Sequence, residues 1–510
     1  MFQTVRKLAF MAALAASPLT PAWAAGDVTI GLDANINGFD PADLNDNLSL
    51  TATRTMLQGL YGFDKDMKLI PVLAESTDAS PTADEFVIHL RHGIAFSDGA
   101  PFNAQAVKIC FDRARDPENH LKRAALFQPI KSIEVVDEFT VKITLTNPFG
   151  AFINNLAHPA FAISSPKAIA EFGKDLGRHP VGTGPYKFVS WTTDTLKLAK
   201  NEHYWKPGLP KIDTLTMKSM PENGSRMAAL QAGEAQFIFP MPPELVRVVE
   251  KNPAIDIVAS RSIYVRYVGL NTMRKPFDDV RVRMALNYAV DKAAFLKVVF
   301  NGYGVILNAP LPANLSGYSK QSTTYSYDPA KAKALLAEAG YPNGFEAPLW
   351  GGNSTITKRA LEFLQQQFAA VGVRVSVEPL EAGTAAAKVW NVKTPADATT
   401  LMYYNGWSAS TGDADWGLRP LFYSKSFPPS LFNVAYYSNP VTDAAIEKGL
   451  TTADTAVRME AYKDAQAQIW KDVPWVFLVS DDNIAAKSKK LSGIYVLPDG
   501  QMLTEEAALN

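Results

Sequence analysis

Strand-like and helix-like hydrophobic patterns alternate along the second half of this 510-residue chain, and no other feature restricts its fold as much. Val373, Val375 and Val377 alternate with polar residues, as in a strand that is buried on one face. Leu361, Leu364 and Phe368 instead recur at the spacing of one helix face. Alternation of this kind between about residues 260 and 480 predicts an α/β lobe with a mostly parallel, doubly wound sheet.

The first half of the chain shows a different order of patterns. Within residues 80–150, strand patterns begin at Phe86 and Phe139, on either side of a helical pattern at 103–115. This order predicts an antiparallel strand pair with a flanking helix. No low-complexity linker separates the two halves, so we expect lobes joined by short, structured crossovers, as in a hinged clamp.

The N-terminus has the features of a secretory signal peptide over residues 1–24. Arg6 and Lys7 precede a short apolar stretch, and Ala22-Trp23-Ala24 supplies a small-residue cleavage pattern. A retained anchor is disfavoured because about 20 apolar residues are needed to span a bilayer. No cysteine follows for lipid attachment. We expect a mature protein that begins at Ala25 and is free in the periplasm of a Gram-negative cell.

Charge and cysteine content exclude further classes of protein. Without Arg6 and Lys7 the chain has 48 basic and 51 acidic residues, a net charge of −3. This balance and the absence of a basic stripe argue against nucleic acid as a partner. The single cysteine, Cys110, can form no intramolecular disulfide, and its place on an apolar helix face predicts a buried, unreactive thiol.

Catalytic and metal-binding motifs are missing from the sequence. Its six histidines form no HExxH pattern, and no phosphate-binding loop is present. Gly406-Trp407-Ser408-Ala409-Ser410 lacks the second glycine of a nucleophile elbow. We therefore expect no catalytic residue, no metal site and no cofactor. A hydrolase that uses Asp413 and Asp415 as paired carboxylates stays open as an alternative.

Several segments instead resemble the extracellular solute-binding proteins of dipeptide, oligopeptide and nickel importers. The resemblance is carried by Phe96–Ala104, Val181–Tyr186, Asn201–Trp205 and Lys275–Arg283, and it covers essentially the whole mature chain. Other segments are similar to the glutathione-binding members of that family: Asn119–Arg123, Leu156–Ala160, Gly233–Phe237, Gly406–Trp416 and Pro428–Asn433.

The resemblance implies an α/β fold of two lobes that close on a ligand, a type II periplasmic-binding-protein-like clamp. Lobe I is expected to comprise residues 25–265 and 486–510, with an extra subdomain at about 63–180, and lobe II residues 266–485. The expected ligand is a small peptide, with glutathione suspected. The expected partners are a membrane ABC permease and its ATPase subunits, and a monomer is the family default.

The resemblance also suggests which residues meet the ligand. Peptide binders of this family place an aspartate shortly after the Gly-Trp pair, where it meets the ligand ammonium, but here that position is Ser410. We expect Asp413 or Asp415 to take this role instead. Trp407 and Trp416 are expected to line the cleft, although core packing is the common alternative for tryptophan.

Carboxylate groups of the ligand require cationic or N–H donors. Our first candidate is Arg266, in a strand that enters the predicted hinge, and the adjacent Tyr267 is also expected to contact the ligand. The alternative for Arg266 is a solvent-facing strand arginine. Asn45, Asp46, Leu48 and Ser49 match a family segment that reaches the ligand, although a helix N-cap explains them equally well. Arg123 and Arg359 are further candidates for a second carboxylate.

Three other functions stay open on the sequence alone. A dipeptide, oligopeptide or haem carrier belongs to the same family. A secreted peptide hydrolase and a chaperone-like holdase belong to different classes of protein.

Overall fold

Short strands and longer helices follow one another throughout residues 26–510, the part of the chain that this computed structural model describes. The predicted signal peptide at 1–24 lies outside that part. The strands are, in chain order, β1 (Asp27–Leu32), β2 (Tyr61–Phe63), β3 (Leu69–Pro71), β4 (Ala74–Ala79), β5 (Glu85–Leu90), β6 (Ile130–Asp137), β7 (Thr140–Leu145), β8 (Tyr186–Trp191), β9 (Thr195–Lys200), β10 (Thr214–Ser219), β11 (Phe237–Phe239), β12 (Ile255–Leu270), β13 (Gly304–Ile306), β14 (Glu346–Gly352), β15 (Arg374–Leu380), β16 (Met402–Ser408), β17 (Trp475–Ser488), β18 (Leu491–Ser492), β19 (Tyr495–Val496), β20 (Met502–Leu503) and β21 (Ala508–Leu509).

The α-helices lie between these strands and begin at capping residues that the sequence reveals. They are α1 (Asn47–Arg54), α2 (Ala104–Arg115), α3 (Ala124–Phe127), α4 (Phe152–Leu156), α5 (Pro166–Phe172), α6 (Asn223–Ala232), α7 (Val246–Val249), α8 (Val280–Ala289), α9 (Lys292–Phe300), α10 (Pro329–Glu338), α11 (Thr355–Ala369), α12 (Ala382–Ala385), α13 (Asp415–Phe422), α14 (Pro440–Leu450) and α15 (Thr455–Asp472). Asp279 caps α8, and Asp328 caps α10 with Pro329 in the first turn.

One large mixed sheet runs through the molecule in the strand order β15-β14-β16-β12-β17-β11-β1-β10-β9-β8, with β13 added against β17. We call the part around β8–β11 lobe I and the part around β14–β16 lobe II. The predicted boundaries of the lobes stay a prediction. No helix within residues 26–510 combines the length and the hydropathy that a membrane crossing requires.

Lobe II is only partly the parallel sheet that we expected. Strand β14 runs parallel to β15 and to β16, but β12 pairs antiparallel with both β16 and β17. The prediction of a mostly parallel sheet is therefore wrong for half of this lobe. The reason is that β12 enters the lobe and β17 leaves it, so these neighbours run in opposite directions.

Lobe I contains the predicted antiparallel unit within a wider sheet. Strands β5 and β7 pair antiparallel, as expected, and β4 and β6 extend them to a four-stranded sheet in the order β4-β5-β7-β6. Helix α2 packs on this sheet through Val107 and Phe111, which are buried. The Cys110 thiol of the same helix donates to the carbonyl of Ser164 at 3.1 Å, and burial raises its pKa to about 12. A buried thiol is what the apolar helix face predicts.

Strands β12 and β17 connect the two lobes. They pair from Ile255 opposite Ser488, on the lobe I side, to Gly269 opposite Trp475, on the lobe II side. Their register shifts between Arg261 and Val265, in the middle of the crossing. An irregularity at this place allows the paired strands to bend there.

Candidate functional site

Two ion pairs lie where β12 and β17 cross between the lobes. Arg266 donates from Nε and Nη2 to the two carboxylate oxygens of Asp481, at 2.8 and 3.0 Å. Five residues earlier in β12, Arg261 donates from Nη1 to both oxygens of Asp482, at 2.8 and 2.9 Å. The predicted ligand residue Arg266 is thus engaged by a neighbouring strand.

The surroundings of Arg266 keep its guanidinium charged. Burial by itself lowers the pKa of Arg266, but the Asp481 carboxylate and the Tyr264 ring outweigh burial, and the net direction is upward. The guanidinium carbon lies 4.1 Å from the centre of the Tyr264 ring and 5.5 Å from that of Phe300. Arg266 is therefore a fixed cation at the hinge, whose donors are partly used by Asp481.

The neighbouring Tyr267 points the opposite way from Arg266. Successive side chains of a strand lie on opposite faces, so Tyr267 is buried with no exposed surface and stacks on Trp475 at 3.4 Å. Its hydroxyl accepts from Asn405 Nδ2 at 3.4 Å. Tyr267 thus packs in the core of this structure, and its predicted contact with a ligand stays a prediction.

Strand β16 presents an open edge beside this hinge. Its first edge pairs with β12 from Tyr264 opposite Ser408 to Leu270 opposite Met402. Its second edge pairs with β14 only at Met402 and Tyr403. From Tyr404 to Ser408 no strand of the described chain covers the second edge. An extended peptide can add to such an edge through its backbone hydrogen bonds.

Gly406 in this edge strand is required for close packing. A Cβ atom added there would lie 2.0 Å from Cε1 of Tyr264. The aromatic ring of Tyr264 therefore sits directly over the backbone of β16, between the open edge and the Arg266–Asp481 ion pair. The Ser408 hydroxyl in the same strand is buried and has no hydrogen-bond partner among residues 26–510.

The two predicted cleft tryptophans contact each other. Trp407 Nε1 donates to the carbonyl of Trp416 at 2.6 Å, and the ring centres are 5.8 Å apart. Phe432 packs on Trp407 at 5.1 Å. Trp407 and Trp416 are both partly exposed, so the structure forms an aromatic cluster next to the open edge of β16.

The two candidate aspartates of the adjoining loop are each held by an arginine. The Asp413 carboxylate is buried and accepts from Arg458 Nη2 and from the Tyr462 hydroxyl. Burial raises the pKa of Asp413, and the Arg458 guanidinium opposes that rise. Arg419 donates to both oxygens of Asp415, at 2.9 and 2.7 Å. Neither carboxylate is free for a ligand ammonium in this arrangement.

On lobe I, the segment 45–49 forms the start of helix α1. The Asp46 carboxylate accepts from the backbone N–H of Ser49 at 2.8 Å and from Asn37 Nδ2 at 3.1 Å, so the helix N-cap interpretation is confirmed. Ser49 is buried, and its hydroxyl accepts from the backbone N–H of Asn37 at 2.9 Å. Asn45 is exposed and Leu48 half-buried. Whether this segment also contacts a ligand stays a prediction.

The N-terminus of α1 adjoins the hinge. Asn47 Nδ2 donates to the carbonyl of Asp499 at 3.0 Å, and Asn483 Nδ2 of β17 donates to the carbonyl of Leu497 at 2.9 Å. The tail segment 497–499 thereby links α1 to β17. The positive end of α1 at this place is already met by the Asp46 carboxylate.

Arg123 lies against the segment that precedes α1. Its Nε donates to the carbonyl of Leu44 at 2.7 Å, and its backbone N–H donates to the carbonyl of Ala42 at 2.9 Å. Burial lowers the pKa of Arg123, and the nearby Asp46 carboxylate opposes that effect. Arg123 forms no salt bridge within residues 26–510, so its terminal guanidinium nitrogens can meet an anion. Arg359, in lobe II, is directed instead at the carbonyl of Val299, at 3.5 Å.

Residues 149–154, within the range predicted for the subdomain of lobe I, contact lobe II directly. The backbone N–H of Gly150 donates to the carbonyl of Leu450 at 2.8 Å, and Asn154 Nδ2 donates to the carbonyl of Thr411 at 3.3 Å. The Arg419 guanidinium lies 5.3 Å from the centre of the Phe149 ring. These contacts describe lobes that are closed on each other.

Sequence reasoning missed Asp481 and Gly150. Asp481 begins the polar run Asp481-Asp482-Asn483 after the apolar start of β17, and acids in the middle of a strand are a signal for a partner such as Arg266. Gly150 carried no signal, because its neighbours lie 300 residues further along the chain. No group of three or more metal-ligating side chains was found within residues 26–510.

The chain is similar to known proteins over nearly all of its length. A family model described as bacterial extracellular solute-binding proteins, family 5 Middle, matches residues 68–428. The glutathione-binding protein GsiB of Pectobacterium atrosepticum is 49% identical over 497 residues, which are 97% of this chain and 96% of that protein. GsiB of Escherichia coli K12 is 46% identical over 490 residues, 96% of this chain and 95% of that protein.

Solved structures agree on the fold. HbpA2 from Haemophilus parasuis has a TM-score of 0.84 at 27% identity and covers 95% of this chain and 100% of its own. The periplasmic binding protein DppA from Helicobacter pylori, solved in complex with the peptide STSA, has a TM-score of 0.79 at 28% identity, covering 95% and 98%. The expected two-lobed α/β clamp is confirmed.

Proposed function

The chain belongs to the bacterial extracellular solute-binding proteins of family 5, and from this we propose that it captures glutathione between its lobes for a membrane ABC importer. The observation that carries the proposal is the identity of 46–49% with GsiB glutathione-binding proteins over almost the whole chain. The importer's permease and ATPase subunits are the proposed partners, the protein acts as a monomer, and it catalyses no reaction.

The chemistry of glutathione fits the groups at the hinge. Glutathione has two carboxylates, one ammonium group, a thiol and a peptide backbone. The open edge of β16 can pair with that backbone. The terminal guanidinium nitrogens of Arg123, whose Nε already donates to Leu44, supply donors for a carboxylate from the lobe I side. Trp407 and Trp416 supply an apolar wall from the lobe II side.

Asp413 and Asp415, the candidates for binding the ligand ammonium, are better explained by a structural role. Asp413 and Asp415 are held by Arg458 and Arg419, so we propose that these two acids fix the loop that carries Trp416. Arg266 fixes the hinge through Asp481 and adds positive potential there. Ser410 is half-exposed next to this loop. An uncharged residue at that place weakens the case for an ordinary dipeptide, whose α-ammonium requires an acid.

Closure of the lobes is the proposed working step. A ligand that contacts both lobes binds only the closed form fully, and so it shifts the equilibrium between open and closed forms by its differential affinity. We propose that the permease recognises the closed form. The N-terminal segment is proposed to direct export and to be removed, and N-terminal sequencing of the exported protein should then begin at Ala25.

Calorimetric titration with reduced glutathione, oxidised glutathione and Ala-Ala tests the proposed ligand. In thermal unfolding, glutathione at about 100 times its dissociation constant should also stabilise the fold by roughly 2.7 kcal/mol, and Ala-Ala should not. Binding of Ala-Ala without glutathione would overturn the proposal in favour of a dipeptide carrier. Mass spectrometry of the same sample should recover glutathione intact, and cleaved products would instead indicate a peptide hydrolase.

A further inference from the structure

A cavity lies within the residue ranges predicted for lobe I. Its volume is about 110 Å³, and its wall is formed by the end of α1, the β2–β3 hairpin, the turn at 157–162 and the tail segment 503–505. The wall includes apolar side chains such as Phe63 and Val72 as well as polar ones. No residue of β16 or of the loop that carries Trp416 lines it, so it is separate from the proposed ligand site beside β16.

Most polar groups of the wall already have partners. The Glu505 carboxylate accepts from the Tyr204 hydroxyl at 2.7 Å and from Lys206 Nζ at 2.8 Å. Gln58 Oε1 accepts from Thr183 and from Trp205, at 3.1 and 2.9 Å. The acidic group and its cationic neighbour thus neutralise each other at one side of the cavity.

Arg54, at the end of α1, is the exception. Its one hydrogen bond within residues 26–510 is a long contact of 3.4 Å from Nη1 to Gln501 Oε1, and it forms no salt bridge there. Burial lowers the pKa of Arg54, while Asp499 and Glu505 favour its charged form from a distance. Asp499 is occupied by Gln501, which donates its backbone N–H and Nε2 at 2.9 Å each.

Two further donors of the wall lack partners. His158 Nδ1 accepts the backbone N–H of Ala160 at 3.1 Å, so the hydrogen of the ring must be on Nε2, for which the described residues offer no acceptor. The buried hydroxyl of Thr53 also has no partner among residues 26–510. The groups left over are a guanidinium, an imidazole N–H and a hydroxyl, and what they lack is an acceptor.

We propose that this cavity of lobe I binds a small carboxylate, such as formate or acetate, on Arg54 and His158. A planar carboxylate accepts two parallel hydrogen bonds from a guanidinium, and its charge complements a cation that has no ion-pair partner. The volume admits a molecule of a few atoms. The site is independent of the ligand between the lobes.

Thermal unfolding in sodium acetate against sodium chloride at equal ionic strength tests the site. For the wild-type protein we expect a saturable rise in Tm on the order of 1–2 °C that is specific to acetate. Arg54→Gln and Thr53→Val should remove this rise. Thr53→Val should be at least as stable as wild type without acetate, because the hydroxyl that it deletes has no partner.

Ser219→Ala is the matched control, because Ser219 has another buried hydroxyl without a partner and lies outside the cavity. This variant should keep the acetate response. Absence of an acetate-specific rise in wild type, or its survival in both cavity variants, would overturn the proposal. So would competition between acetate and glutathione in calorimetric titration, since competition would assign acetate to the space between the lobes.

Discussion

Gly150 of lobe I and Leu450 of lobe II share a backbone hydrogen bond of 2.8 Å across the closed interface. A Cβ atom on residue 150 would lie 2.2 Å from the carbonyl oxygen of Thr452 and 2.8 Å from that of Gly449. Both neighbours are backbone atoms of lobe II, which cannot move aside without shifting α14. The fit between the lobes at this contact therefore requires glycine.

Gly150→Ala should oppose closure while it leaves each lobe folded. Overpacking of this kind costs about 1–3 kcal/mol, which here falls on the closed form alone and should weaken ligand binding about tenfold or more. Calorimetric titration measures the affinity, and small-angle scattering should report a larger radius of gyration with ligand. Gly224→Ala, where an added Cβ meets nothing within 4 Å, is the control. Unchanged affinity would show that the lobes close differently.

The buried Asp413–Arg458 ion pair is expected to stabilise lobe II. Asp413→Asn removes the charge and leaves Arg458 unpaired in the interior, which typically costs about 3–5 kcal/mol. Urea unfolding should show this loss as a lower midpoint with a similar slope. Glu346→Gln, which breaks the exposed pair with Arg374, should leave the midpoint unchanged. Equal midpoints for both variants would contradict the assigned structural role of Asp413.

Lys292 should make the free energy of unfolding depend on pH between about 7 and 10.5. Burial lowers the pKa of Lys292 to about 7, against 10.5 for an unshifted lysine, and within residues 26–510 its Nζ donates only to the carbonyl of Tyr325. Between these two values the unfolded chain binds the proton and the folded protein does not. The free energy of unfolding should therefore rise with pH over this range, by up to about 1.4 kcal/mol per unit.

Lys292→Met isolates this contribution, because all other titrating groups remain. Urea unfolding of both proteins at several pH values between 7 and 10 should show wild type gaining stability relative to the variant as pH rises. The comparison of slopes is independent of any constant cost of the substitution itself. Parallel curves for the two proteins would mean that Lys292 keeps its proton in the folded state.

Local features of the fold could be predicted from the sequence because they depend on neighbours in the chain. Asp279 and Asp328 cap helices, and the strand at Val373–Val377 follows the helix that ends at Ala369. The direction of β12 relative to β16 could not be predicted, since it depends on where the chain crosses between lobes.

Less of the candidate site could be predicted, because most of its contacts join residues that are far apart in the chain. Trp407 and Trp416 lie nine residues apart and do meet. Which arginine is free and which is paired depends on distant residues, such as Asp481 for Arg266 and Leu44 for Arg123. The alternation of faces along β12 is a local signal, and it is enough to place Tyr267 opposite Arg266.

Arg123 is expected to contribute to recognition of a ligand carboxylate. Arg123→Gln keeps a donor near the carbonyl of Leu44 but removes the charge, so glutathione should bind roughly tenfold to a hundredfold more weakly, as for a lost charge-assisted hydrogen bond of about 1.5–3 kcal/mol. Calorimetric titration of glutathione gives the affinity, and circular dichroism checks the fold.

Arg359→Gln is the matched control, because Arg359 carries the same charge and is directed at the carbonyl of Val299 within lobe II. It should bind glutathione as wild type does. Equal loss in both variants would indicate a general effect of positive charge, since long-range attraction does not depend on which arginine is removed. Loss in Arg359→Gln alone would move the carboxylate site from lobe I to lobe II. Only a selective loss in Arg123→Gln is consistent with a carboxylate held beside the N-terminus of α1.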